Sequence, residues 1–124
     1  MKVDPRKRGA WGERVALEYL KKNGYIIITT RFRSRFGEID IIAKSKENIT
    51  FIEVKTRKNA DFAYAREYVN RTKQRKIIAT ANLWLSKRTQ KLQPRFDVIE
   101  VYAINGEQTK SPQINHIENA FGVN

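Results

Sequence analysis

Residues 36–57 read Phe36-Gly-Glu-Ile-Asp40-Ile-Ile-Ala-Lys-Ser-Lys-Glu-Asn-Ile-Thr-Phe-Ile-Glu53-Val-Lys55-Thr-Arg57. Two apolar runs flank a polar tip at Lys46-Glu47, which predicts a β-hairpin with strands at about 37–44 and 48–56. Side chains alternate across a strand. Glu38, Asp40 and Ile42 are therefore expected on one face of the first strand, and Ile39, Ile41 and Ala43 on the other. On the second strand Phe51, Glu53 and Lys55 share a face, opposite Ile52, Val54 and Thr56. Pairing about the tip sets Asp40 against Glu53 and Glu38 against Lys55. Directly opposed side chains lie roughly 4.5–5.5 Å apart at Cβ, and like charges there are destabilising. A hairpin with Asp40 facing Glu53 needs a compensating partner, and a divalent cation would serve.

The rest of the chain supplies a setting for that pair. The 124 residues predict one domain, with residues 1–8 polar and frayed. There is no cysteine, so neither a disulfide framework nor a thiolate metal site is available. The opening residues carry no apolar signal core, and no run reaches the length of a membrane helix, so a soluble cytoplasmic protein is expected. The formal net charge is +12 and is unevenly spread. Residues 1–35 carry +7 and residues 56–95 carry +9, whereas 36–55 carry −1 and 96–124 carry −3. An acidic stretch is thus bracketed by two basic ones, a pattern that favours nucleic acid as partner over a merely soluble basic surface or an anionic membrane.

From Gly9 to about Asn23, Trp11, Val15, Ala16, Tyr19 and Leu20 form a helical stripe, with Glu13 at its border and Gly24 as a left-handed cap. Tyr25 to Arg33 reads as a first strand. Residues 57–69 show no clean period and read as a loop carrying Phe62, Tyr64 and Tyr68. Asn70 caps a helix over about 71–88, whose stripe is Ile77, Ile78, Ala81, Trp84 and Leu85. Residues 89–94 read as a linker, Arg95–Ile104 as a buried strand, Asn105-Gly106 as a turn, and 113–119 as a last antiparallel strand. Trp11 and Trp84 fall at packing positions. His116 stands in a polar stretch and reads as a surface histidine. The order predicts an α/β fold with a mixed sheet flanked by helices.

Asp40 and Glu53 offer two carboxylates, the Val54 carbonyl a third oxygen, and Lys55 an ammonium beside them. That donor set suits Mg²⁺ or Mn²⁺, which take hard oxygen ligands and keep several waters. Glu13 is placed to add a ligand or orient water, and Gln74 to orient a ligand or touch phosphate. Each has a plainer reading: an ordinary acidic sheet face for Asp40 and Glu53, an ion pair with Glu38 for Lys55, a solvated helix residue for Glu13, and the polar end of a stripe for Gln74. Arg31, Arg33, Arg35, Arg57, Lys58, Arg71, Lys73, Arg75 and Lys76 are the candidate nucleic-acid contacts.

Gly9-x-x-Gly12-Glu13, Gly24-Tyr25, Gly37-Glu38-Ile39-Asp40, Phe51-Ile52-Glu53-Val54-Lys55-Thr56-Arg57, Lys73 and Arg95-Phe96-Asp97-Val98-Ile99 resemble the bacterial YraN-like (UPF0102) family of predicted endonucleases. That family is similar to archaeal Holliday junction resolvases within the PD-(D/E)xK superfamily. The resemblance runs from about residue 9 to 121. It implies a restriction-endonuclease-like αβββαβ core with Asp40, Glu53 and Lys55 as the catalytic site, Glu13 as the helix-borne acid and Gln74 as a helix-borne polar residue. It implies a metal-dependent endonuclease acting on DNA, with branched or junction DNA as substrate class. Two positions depart from the pattern: Arg31 stands where the family has Asn, and Ala63 where a glycine is usual. A non-catalytic nucleic-acid-binding protein on the same scaffold, or an RNA-directed nuclease, remains the alternative. Two active sites suit a junction, so a homodimer is a further expectation, with Phe62, Tyr64 and Tyr68 available either to that interface or to local packing.

Overall fold

β-Branched and aromatic residues fill the segments that become strands, and two amphipathic helices cover what those strands bury. The computed structural model describes residues 5–58, 69–89 and 91–122, excepting the side chains of residues 5–8. The elements are α1 (Pro5–Lys22), β1 (Ile26–Arg33), β2 (Glu38–Lys44), β3 (Asn48–Arg57), α2 (Arg71–Ser86), β4 (Gln93–Tyr102) and β5 (Gln113–Phe121), with a 3₁₀ turn at Gly106–Gln108. Phe62, Ala63, Tyr64 and Tyr68 lie outside the described residues. Among the described residues, no helix is long and apolar enough to cross a membrane.

The strands form one mixed sheet in the order β1-β2-β3-β4-β5. β1, β2 and β3 are an antiparallel meander, β4 runs parallel to β3, and β5 is antiparallel to β4. This is the αβββαβ order expected of a restriction-endonuclease-like core, extended by β5. α2 forms the crossover that a parallel β3–β4 pair requires.

The helices lie on opposite faces. Ala16 and Leu20 of α1 pack with Ile41, Ala43, Ile52, Ile99 and Val101. Ile77, Ala81 and Trp84 of α2 pack with Ile39, Ile42, Phe51, Phe96 and Val98. Asn70 caps α2, its side chain accepting from the Lys73 N–H at 2.9 Å. Gly24, at φ +86°, ends α1 in the left-handed region that glycine adopts without steric cost.

Several boundaries and one packing assignment differ from expectation. α1 begins at Pro5 rather than Gly9, because proline fits the first helical position, where an N–H has no intrahelical partner. α2 closes at Ser86, two residues short of the expected 88. β4 starts at Gln93 and includes Pro94, opposite Ile49. β4 also ends at Tyr102 and β5 continues to Phe121, where Phe96 and Phe121 pair and stack with centroids 5.3 Å apart. Finally, Ile39, Ile41 and Ala43 do not share a face. Ile41 and Ala43 pack under α1, whereas Ile39 joins Ile42 under α2. The alternation breaks at Asp40.

α1 approaches β3 closely at one point. A Cβ built on Gly12 would stand 2.0 Å from Thr56 Oγ1 and 3.3 Å from Thr56 Cβ. Thr56 is stiff at χ1, so it cannot readily yield. Gly12→Ala is expected to destabilise the protein by about 1–3 kcal/mol despite alanine's better helix propensity. Thr56→Ala in the same chain should recover most of that loss in urea unfolding. A stabilising Gly12→Ala would contradict the close approach.

Candidate functional site

β2 and β3 are hydrogen-bonded from Lys44–Ile49 up to Ile41–Ile52, and there the ladder between them ends. Beyond that point Ile39 and Glu38 stay with Phe32 and Arg33 of β1, while Glu53 to Arg57 stay with Val98 to Tyr102 of β4. The sheet opens at the next step of the register, which sets Asp40 against Glu53. The Val54 N–H, without a β2 carbonyl, donates instead to Asp40 Oδ2 at 2.8 Å. The side chain of Asp40 thus takes the place of a ladder bond. Opposite Asp40 in the β1 register is Arg31, a non-glycine residue at φ +52°. Such a conformation is uncommon outside glycine, asparagine and aspartate. It accompanies the break in alternation that the sequence pattern does not reveal.

Glu53 is buried beside the Asp40 carboxyl. Burial first, then the negative charge of Glu53, push the Asp40 carboxyl up to about 7. Glu13 raises it further, and the Val54 N–H pulls the other way. Near neutral pH and without a cation, Asp40 therefore keeps much of its proton.

Three cations surround the acids. Lys73 Nζ lies 2.5 Å from Glu53 Oε1. Arg31 Nε donates to Glu13 Oε2 at 3.1 Å. Lys55 lies beside both carboxylates, and its pKa is lowered by burial, then by the charges of Lys73 and Arg57, against the pull of Glu53 and Asp40. Glu38 bonds Arg33 at 2.8 Å, so the alternative pairing of Lys55 with Glu38 is replaced. The reason is the open ladder: Glu38 follows β1 and Lys55 follows β4.

The structure brings Asp40, Glu53, Lys55, Glu13 and Lys73 together, with Arg31 at the rim. Gln74 is directed elsewhere. Its side-chain amide donates to the Val69 carbonyl at 2.8 Å, tying down the approach to α2. It also lines, with Arg71, Arg75 and Asn82, a groove of about 570 Å³ beside α2. Among the candidate nucleic-acid contacts, Arg33, Arg35, Lys58, Arg71, Arg75 and Lys76 are exposed. Arg57 is not: its guanidinium is ion-paired with buried Glu100.

His116 is also not a surface residue. Its side chain is 7% exposed. Nε2 contacts Asp97 Oδ2 at 2.7 Å and Nδ1 contacts the Tyr19 hydroxyl at 2.9 Å. Asp97 further accepts from Arg95 twice at 2.9 Å and from the Asn119 N–H at 2.9 Å. A polar sequence context conceals this, because α1 and β4 cover the histidine only once β5 has joined the sheet.

Among the described residues, no three Asp, Glu, His or Cys side chains gather closely enough to cage a metal ion unaided. Two adjoining carboxylates with a third acid nearby still fit Mg²⁺, which completes its shell with water and substrate oxygens.

The sequence model of an uncharacterised protein family, UPF0102, matches residues 12–101. A UPF0102 protein of Caldanaerobacter subterraneus is 44% identical over 121 residues, covering 97% of this chain and 98% of that one. One from Clostridium beijerinckii is 44% identical over 125 residues and the full length of both chains. One from Clostridioides difficile is 44% identical over 120 residues, covering 96% of this chain and all of its own.

The raised Asp40 pKa has a consequence for stability. The unfolded chain loses this proton near 3.8, the folded protein only near 7. Without divalent metal, the folded state binds more protons across that window, so stability falls as pH rises through it. Relative to Asp40→Asn, the wild-type unfolding free energy in EDTA should drop by roughly 2–4 kcal/mol between pH 4 and 7.5. Parallel pH profiles for the two proteins would contradict the assignment.

Proposed function

We propose that this chain, which belongs to the uncharacterised protein family UPF0102, is a divalent-metal-dependent nuclease that hydrolyses phosphodiester bonds in DNA. The observation carrying this reading is the half-buried Asp40 beside buried Glu53 at the opening between β2 and β3. An aspartate whose charged form is disfavoured by burial and by an adjoining glutamate is costly to ionise in a half-closed site, and a bound cation removes that cost. Mg²⁺ or Mn²⁺ held there would polarise a phosphate oxygen and lower the pKa of bound water.

The chain's own residues then have separable tasks. Asp40 and Glu53 hold the cation, and Glu13 on α1 stands nearby, where it orients a metal-bound water. Lys55, on the Glu53 face, offsets negative charge developing on the phosphate. Lys73 is assigned to this site as well, rather than to remote backbone binding. Gln74 acts only through the anchoring of α2. Arg33, Arg35, Lys58, Arg71, Arg75 and Lys76 hold the DNA backbone without reading its sequence. Branched or junction DNA is the substrate class to try first.

A DNA-binding scaffold that does not cut is the second reading. It is favoured by one observation: Glu13 and Glu53 already have Arg31 and Lys73 as partners. Incubation of pure protein with branched and linear DNA, and with matched RNA, separates the two. Cleavage should require Mg²⁺ or Mn²⁺ and stop in EDTA. Asp40→Asn and Lys55→Met should each lower the rate by at least about 100-fold. DNA binding without metal-dependent cleavage would favour the scaffold, and cleavage untouched by both substitutions would remove the site assignment.

A further inference from the structure

Each glutamate at the site is far less exposed than the cation bound to it. Glu53 and Glu13 have side-chain exposures of 7% and 13%, whereas Lys73 and Arg31 are 45% and 52% exposed. Lys73 projects from the first turn of α2, and Arg31 from the left-handed position in β1. Both basic head groups therefore border the acidic opening on one side and solvent on the other. Buried Glu53, and to a lesser degree half-buried Glu13, lose these partners only at a cost unless another cation replaces them, since an unpaired charge away from water is disfavoured. The exposed cations can leave at little cost if another anion receives them.

We propose that Arg31 and Lys73 are exchangeable counter-cations. In the free protein they neutralise Glu13 and Glu53. An arriving nucleic-acid phosphate draws them off, so the carboxylates become available to a divalent cation. This rests on the nuclease reading and adds a regulation to it, since metal loading becomes coupled to substrate binding. Arg31 and Lys73 act here as positioning residues. A metal ion entering the free protein competes with a guanidinium and an ammonium already in place. Once a polyanion is bound, those cations have phosphate oxygens to pair with, and the competition ends. By linkage the metal must tighten polyanion binding by the same factor that the polyanion tightens metal binding. The coupling also suppresses metal uptake by the free protein, so the cutting site assembles only on its substrate.

The test is titration calorimetry of Mn²⁺ binding, alone and in the presence of a phosphorothioate DNA duplex that resists cleavage. The probes are wild type, Arg31→Asn, Lys73→Met and Asp40→Ala. Asparagine tolerates the left-handed backbone at position 31, and methionine keeps the length of the lysine stem. Thermal melts verify that each variant folds. Wild type should bind Mn²⁺ at least about fivefold more tightly with DNA than without. Arg31→Asn and Lys73→Met should bind it several-fold more tightly than wild type without DNA and respond less to DNA. Uptake lost in Asp40→Ala but unchanged in the other two variants would overturn the exchange and leave the metal site standing. No Mn²⁺ uptake by wild type in either state, or uptake indifferent to Asp40→Ala, would overturn both.

Discussion

Two carboxylates brought together out of water set the terms for this structure. Asp40 and Glu53 meet where β2 and β3 part company, and that parting requires compensation on every side. Val54 loses a ladder acceptor and takes the Asp40 carboxylate instead. β2 leans on β1 through Ile39 and Glu38, and β3 on β4 through the whole run from Glu53 to Arg57. α1 can reach the opening because Gly12 lets it lie against Thr56. α2 delivers Lys73 from its first turn, directly after the Asn70 cap. The sheet, the two helices and the cap thus converge on one electrostatic problem.

A fully buried aspartate in the same sheet shows what a solved version of that problem looks like. Asp97 is fully buried, yet its carboxyl lies below the ordinary range. Burial alone would raise it, but hydrogen bonds from His116, Arg95 and the Asn119 backbone more than reverse this. Arg95 is itself held by the Tyr25 hydroxyl, and His116 by Tyr19, so the network ties β4 and β5 to α1 and to the start of β1. Every Asp97 oxygen is occupied and the group is a brace. Asp40 carries the opposite shift because burial, and then the charge of neighbouring Glu53, outweigh the Val54 N–H. The contrast separates a carboxylate that stabilises the fold from one that stores an unmet demand for positive charge.

Much of this was legible in the sequence, for reasons that differ by level. The hairpin register followed from its polar tip and two apolar runs, so the opposition of Asp40 and Glu53 could be stated in advance. Helical stripes located α1 and α2, and Asn70 marked a real cap. The motif residues Glu13, Asp40, Glu53 and Lys55 do come together. The local pattern failed where tertiary contacts override alternation. Nothing in Ile39-Asp40-Ile41 signals that the two isoleucines face opposite layers, because the cause lies across the ladder at Arg31 and Val54. Charge counting could not tell exposed Arg33 from Arg57, which Glu100 draws inward. His116 reads as exposed for a similar reason, and the bond from Gln74 to Val69 is equally hidden: a polar neighbourhood in sequence is silent about a hydroxyl, a carboxylate or a backbone carbonyl supplied from elsewhere.

The most direct test of the central claim is the titration of the Asp40 side-chain carboxyl by carbon-13 NMR, with and without Mg²⁺. The Asp40→Asn variant assigns the signal. Metal-free protein should show Asp40 titrating near 7, and saturating Mg²⁺ should move that transition well down, because a bound cation favours the charged form. A metal-free Asp40 that titrates in the ordinary carboxylate range and ignores Mg²⁺ would contradict the account.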